Sequence, residues 1–309
     1  MRYEGQICRT PRERASFMLP ISVGCPYNRC KFCDLFKHLS YRTLPFEQVK
    51  AEVGRIAATG RSPRGVMLGD GNAFGVRTED LLAVLELIHR QLPGCASVSA
   101  DATISSIAAK SDEELAKIAT GGLRTLYIGI ESGLDDVLAF MHKEHDNTTA
   151  RRQIARLHAA GMEYGAHIMT GIAGHGRGIE NARATAAFLN GTKPLYICNF
   201  SLFLHRDVEL GREVERDSFV PASEQENLHE DRELVSLLEG PVDFDGFHDY
   251  VELRVHGSLP EDRERMLRQL DAAIKEFEVE EPLFSMVGSI ARQREPKDEE
   301  DPEETRVAS

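Results

Sequence analysis

The sequence predicts an α/β protein in which a βα unit repeats, building a parallel sheet or a partial barrel. Three observations carry this prediction. Six short apolar runs end in glycine or a polar residue, longer amphipathic stretches lie between them, and helix start and stop signals fall where the two alternate.

The apolar runs are Phe17–Val23, Val66–Leu68, Val98–Ala100, Leu126–Ile130, Ala166–Met169 and Tyr196–Leu204. A parallel strand covered by helices on both faces reads as continuously apolar rather than alternating. Between the runs, Phe46–Ile56, Asp80–Ile88, Asp112–Ile118, Ala150–Leu157 and Asn181–Leu189 space their apolar residues three and four apart, the period of a helix with one buried face. Thr78-Glu79-Asp80 supplies a cap-like residue and acidic first-turn charges. Ser111 and Glu114 have capping-box spacing, and Gly161 after Ala159-Ala160 is a stop signal. Right-handed crossovers put the strand C-termini on one rim, where chemistry is expected.

Beyond Leu204 the pattern changes. A polar stretch to about Asn227 precedes a helix near Asp231–Leu238, a strand at Tyr250–Val255 and a helix from about Asp262 to Phe277. The stretch from Pro296 to Glu304 is acidic and lacks an apolar anchor, so a disordered tail is expected. The organisation expected is a core at 1–205, a C-terminal α/β extension at 206–295 and the tail at 296–309.

The 309 residues are 41% hydrophobic and 28% charged, the balance of a globular chain with a real core. With 37 Lys and Arg against 50 Asp and Glu, the net charge is −13. That argues against broad phosphate contact and hence against nucleic acid as a partner. No run approaches a bilayer span, and MRYEGQICRTPRER has no signal-peptide apolar stretch. A cytoplasmic protein with no membrane partner is expected.

Of the six cysteines, Cys25, Cys30 and Cys33 crowd into nine residues, whereas Cys8, Cys95 and Cys198 are scattered. A disulfide framework spreads more evenly in a smaller, exported chain. Three thiolates on one loop after the first strand suit three corners of a [4Fe–4S] cube. Neither Cys95 nor Cys198 belongs to a second cluster-like spacing. One iron is then left open to a substrate or cofactor. The bland alternative is structural zinc, with His38 or Cys8 as the fourth ligand.

The loop resembles the cluster loop of the radical S-adenosylmethionine (radical SAM) superfamily. It has four then two intervening residues where the commonest spacing is three then two, a form similar to small single-cluster members of the elongator-like and HemN-like branches. Phe32, before the third cysteine, also fits. The resemblance covers about residues 15 to 205 and implies a partial (βα)6 TIM-like barrel. It implies [4Fe–4S] and S-adenosylmethionine (SAM) as cofactors, with Cys25, Cys30 and Cys33 as metal ligands. Gly69, Asp70, Gly71 and Asn72 stand where the family holds the SAM amino group, with Gly-Asp-Gly in place of the usual Gly-Gly-Glu. Glu131 closes the fourth strand of the repeat near SAM. Gly171 and Ile172 end the fifth, where members line the adenine. The implied function is reductive cleavage of SAM to a 5′-deoxyadenosyl radical that abstracts hydrogen from a small molecule, fed by an electron donor such as flavodoxin or ferredoxin.

The reaction is narrowed by what the sequence lacks. Some sixteen residues precede the first strand, too few for a cobalamin-binding domain, and no second cluster loop is present. Leu35 stands where HemN-like enzymes carry a further cysteine. Dehydrogenation, epimerisation, rearrangement, decarboxylation or C–C bond chemistry is left. His167 and Cys198 are candidate catalytic residues; their bland readings are a satisfied core histidine and a small buried hydrophobe. Asn199 and His205 are candidates for facing the substrate, and Arg254 and His256 for binding an anion. A zinc-stabilised binding protein and an Fe–S redox sensor or electron carrier are the competing function classes.

Overall fold

Alternation along each strand sorts the side chains onto two faces of one sheet. On β1 (Phe17–Gly24), Leu19, Ile21 and Val23 join the main core, whereas Met18 faces a second, smaller cluster. The same two-residue period holds on β3 (Gly65–Gly71), β4 (Ser97–Ala102), β5 (Leu123–Glu131), β6 (Glu163–Thr170) and β7 (Tyr196–Ser201). One face packs under helices. The other carries Met67, Tyr127, Tyr196 and Cys198 toward the inside of the curved sheet. These are the six expected strands.

The computed structural model describes Glu4 and residues 9–248 and 253–277. Cys8 and the acidic stretch at 296–309 lie outside the described residues, as does part of the strand expected at Tyr250–Val255. The sheet runs β2 (Arg42–Thr43), β1, β3, β4, β5, β6, β7, β8 (Val242–His248), β9 (Leu253–Leu259). From β1 to β8 every pair is parallel, and β2 and β9 close the edges antiparallel. This is the expected partial TIM-like barrel, with β8 continuing the parallel series beyond the sixth repeat.

The expected helices form as α1 (Phe46–Ala57), α2 (Thr78–Gln91), α4 (Asp112–Thr120), α6 (Asn147–Ala159) and α7 (Gly178–Thr192). Short α3 (Ile104–Ala108), α5 (Asp135–Phe140) and α8 (Glu209–Glu215) come in addition. Ser111 and Glu114 form the expected capping box on α4. Thr78 differs from expectation: it lies inside α2, and its hydroxyl donates to Glu114 at 2.6 Å.

The larger difference is α9, which spans Glu224–Leu237 and so starts within the stretch expected to be irregular. Ser223 and Glu226 cap it reciprocally. Its buried face is polar: Glu224, Asn227, Glu230 and Asp231 are all under 5% exposed. Glu230 accepts from the Gly171 amide at 2.9 Å and from Asn181 at 2.7 Å, and Asp231 accepts from Asn199 at 2.7 Å and from Thr170. α10 (Arg263–Glu276) then packs against α9 and β9. Among the described residues no helix is long and apolar enough to cross a membrane.

Candidate functional site

The three cysteines sit on the loop that leaves β1. Gly24 turns the chain outward with φ +80, and the loop is then tied to two later elements. Tyr27 donates to the His142 carbonyl at 2.5 Å and the Lys31 amide to the Met141 carbonyl at 3.0 Å, so the end of α5 holds one side. The Leu210 amide of α8 donates to the Lys31 carbonyl at 3.0 Å, and the Lys31 ammonium meets Glu213 at 2.8 Å. Asn28 closes the loop on itself by donating to the Phe36 carbonyl at 2.7 Å.

Cys25, Cys30 and Cys33 are free and partly exposed. Burial pushes the Cys30 thiol up to about 12, against the pull of the Lys143 ammonium, and burial also raises Cys33. A metal displaces such protons, because the thiolate is the ligand. Among the described residues no three His, Cys, Asp or Glu side chains converge on a single ion. The His38 Nε2 is buried without a partner among them. Three sulfurs on one strapped loop fit a polynuclear centre that takes one thiolate per iron.

The end of β3 is pressed against this loop. Gly71 has φ +117, and a Cβ there would lie 2.6 Å from the Gly24 carbonyl carbon and 2.8 Å from its nitrogen. The Asn72 amide donates to the Gly24 carbonyl at 3.1 Å. The Asn72 side-chain amide donates to Thr103 at 2.8 Å, which leaves its Oδ1 buried with no partner among the described residues. Such an orphaned acceptor beside the cysteines suits an ammonium group. Asp70 holds φ +67 and accepts from the Glu4 amide at 3.1 Å. The Gly69 α-carbon faces the Met18 methyl group.

Glu131, at the end of β5, also has a left-handed backbone, φ +64. A non-glycine residue held there costs on the order of 1–3 kcal/mol, a strain that clusters at functional sites. Its Oε1 lies 3.1 Å from the Lys143 ammonium, which also stands 3.8 Å from Glu144. The ion pair is buried. The Lys143 ammonium, flanked by Glu131, Glu144 and Cys30, is held charged despite its burial. Sequence reasoning missed Lys143; the Met-His-Lys-Glu-His run at 141–145 was its only signal.

Phe32 and Ile172 meet in one apolar cluster with Leu202, Leu204 and Phe219. Gly171, with φ +80, spends its amide on Glu230, and a Cβ there would lie 2.6 Å from Asn227 Oδ1. His167 and Cys198 are cross-strand neighbours inside the curve of the sheet. The His167 ring lies parallel to Tyr127, with centroids 5.8 Å apart, and meets Phe200 edge-on at 5.8 Å. Its Nε2 is buried without a partner among the described residues, so it is not a satisfied core histidine. Cys198 is fully buried, and burial pushes its thiol up to about 12. Asn199 points the other way, into the network with Thr170 and Asp231, so it does not face the inside as expected. Arg254 binds Asp245 through two nitrogens at 2.6 and 3.0 Å, and His205 stacks on Phe203.

Strands ending on one rim, with a cysteine loop at their mouth, define a partial-barrel fold with a candidate metal centre. The sequence model of the radical SAM superfamily matches residues 19–189, more than half of the chain. The chain belongs to the radical SAM superfamily, which uses a [4Fe–4S] cluster and SAM. A search of curated proteins found no match. Among solved structures, coproporphyrinogen III oxidase (HemN) from Escherichia coli, described as a radical SAM enzyme, is similar at 13% identity and TM-score 0.57, covering 72% of this chain and 51% of its own. Elp3 from the archaeon Methanocaldococcus infernus, without its first 46 residues, is similar at 14% identity and TM-score 0.54, covering 84% and 63%. The radical SAM methyltransferase TsrM from Kitasatospora setae, with cobalamin and a [4Fe–4S] cluster bound, is similar at 16% and 0.52, covering 65% and 39%. At these identities the likeness is one of fold, and the chain spans about two fifths of TsrM's length.

Proposed function

We propose that the chain cleaves SAM reductively and uses the resulting radical on a small molecule held inside the barrel. Cys25, Cys30 and Cys33 hold the cluster in this reading. Phe32, Gly69 to Asn72, Glu131, Gly171 and Ile172 place SAM. The single observation that carries it is the cysteine loop locked to the β3 turn through Gly71, Asn72 and Gly24, inside the span that matches the superfamily.

When bound, the cluster and SAM supply the electron and the 5′-deoxyadenosyl radical that removes hydrogen from an unactivated carbon. The protein supplies position and dryness. Asn72 Oδ1 accepts from the SAM amino group. The buried Lys143 ammonium offsets negative charge gathered at Cys30, and Glu131 fixes that ammonium in place. His167, Cys198 and the aromatic rings around them make the inner face of the sheet, on which a substrate is kept from water. An electron donor such as flavodoxin or ferredoxin, a cytoplasmic setting, and a core at 1–205 with an extension at 206–295 complete the reading.

The test is release of 5′-deoxyadenosine from anaerobically reconstituted, dithionite-reduced protein given SAM. Release that is lost in Cys30→Ala supports the reading. A colourless protein holding stoichiometric zinc overturns it in favour of a binding protein. A full cluster whose EPR spectrum ignores SAM overturns it in favour of an electron carrier or redox sensor.

A further inference from the structure

We propose that Asp101, on the inner face of β4, anchors the substrate, and that the group it takes is a positively charged amine. The proposal rests on the barrel interior being the substrate chamber of the reading above.

Asp101 pairs in register with Tyr127, and its neighbours Ala100 and Ala102 belong to the helix-covered core, so its side chain points inward. Asp101 is half-buried on that inner face, where desolvation acts on its carboxyl. The other acids facing the inside are engaged. Asp245 accepts from Arg254 at 2.6 Å and from Tyr196 at 2.9 Å. Glu13 accepts from Tyr127 at 2.7 Å and from Ser16. Asp101 has no hydrogen bond or ion pair among the described residues. The cations are committed as well: Arg254 to Asp245, Lys143 to Glu131 and Glu144, and Arg12 to Asp243 at 2.6 Å. One carboxyl is therefore left over with no positive charge to meet it.

A second, independent observation lies one pleat below. Ser99 is 3% exposed, faces the same way, and its Oγ has no partner among the described residues. Across the sheet, the unpartnered His167 Nε2 adds a third polar atom, and the Tyr127 ring lies between them. A carboxyl and a hydroxyl suit an ammonium group. An anion would find no uncommitted cation here, only the carboxyls of Asp101 and Glu13. Burial, reinforced by Glu13, pushes the empty Asp101 carboxyl up to about 8, so arrival of an ammonium at neutral pH must expel a proton.

The probe is n-butylamine, titrated into the full-length, cluster-loaded protein by calorimetry at pH 7, beside n-butyrate and n-butanol. Two buffers of different ionisation enthalpy, neither a primary amine, report proton release. The amine should bind at least tenfold more tightly than the other two, with release of about nine-tenths of a proton, as a carboxyl titrating at about 8 requires. Asp101→Asn should lose at least tenfold in amine affinity and all of the proton release, and Asp101→Glu should keep part of both. Iron content and circular dichroism establish that each variant is folded. Equal binding of butyrate, an unaffected Asp101→Asn, or no binding of the amine to the wild type overturns the proposal. SAM cleavage by the wild type, measured on the same preparation, reports separately on the reading beneath it.

Discussion

Gly71 is where a single methyl group does most damage to the candidate site. In Gly71→Ala the new Cβ would stand 2.6 Å from the Gly24 carbonyl carbon and nearer still to its oxygen. Carbon atoms in ordinary contact are about 3.5–4.0 Å apart, so the β3 turn and the residue before Cys25 must part by about 1 Å. Alanine at φ +117 adds its own strain, about 1–3 kcal/mol. Crowding a packed contact costs a further 1–3 kcal/mol, roughly. The sum is about 2–6 kcal/mol, and for a chain of this size each kcal/mol lowers Tm by about 2–4 °C. Gly60→Ala is the control. Gly60 also has positive φ, +69, but nothing lies within 4 Å of the added carbon, so only the backbone strain is incurred. Iron and sulfide per chain after anaerobic reconstitution, and Tm of the metal-free protein, read both effects. Gly71→Ala should lose most of its iron and melt well below Gly60→Ala. Equal Tm values with full iron in both would refute the docking of the β3 turn on the cysteine loop.

Three further outcomes follow from the buried charges. The unfolded chain releases the Asp101 proton near pH 4, whereas the folded chain keeps it to about 8. That stability is complete at low pH and is lost as pH rises toward 8, so Asp101→Asn should be stabilised by up to about 4 kcal/mol at pH 7 and far less at pH 4, read as urea midpoints. His167 has the opposite sign: burial first, then Lys143, hold its imidazole down at about 4. Its contribution is present above about pH 6.5 and lost as pH falls to about 4, some 3 kcal/mol, roughly, and His167→Gln should flatten that part of the profile. Lys143→Met leaves Glu131 and Glu144 facing each other without a cation and should cost about 3–5 kcal/mol, with reduced iron uptake; unchanged urea unfolding would show that the buried pair does not form.

The six inner strands were legible because apolar runs of that length have few other uses in a chain with helix-periodic segments between them. β8 was not, since Asp243 and Asp245 alternate with Val242 and Phe244 and lend the segment a surface pattern. Those acids point inside the curve, to Ser258, Arg12, Tyr196 and Arg254. The onset of α9 was hidden for a related reason. Its buried face is made of Glu224, Asn227, Glu230 and Asp231, which a hydrophobic period cannot register. What Glu230 and Asp231 bond, the ends of β6 and β7, lies far away in the chain. In the candidate site the cysteine spacing and the glycine turn at 69–72 were legible because both are local. Asp101 and Lys143 are single charged residues whose meaning comes from what the fold places opposite them. Asn199 was misassigned by one position of strand alternation: its neighbour Cys198 faces the inside of the curved sheet and it does not.

The Glu230 clasp on the Gly171 amide reaches across 59 positions of sequence. It bears on how far this protein can be recombined with others. A chimera that keeps this barrel but takes its last third from elsewhere would strip an acceptor from a turn with φ +80, and remove the carboxylate that Thr170 and Asn199 share. Exchange should succeed only where the incoming helix brings a carboxylate pair in register with Glu230 and Asp231. For directed evolution, the turn at Gly171 and the middle of α9 therefore form one heritable block, although 59 positions of sequence separate them.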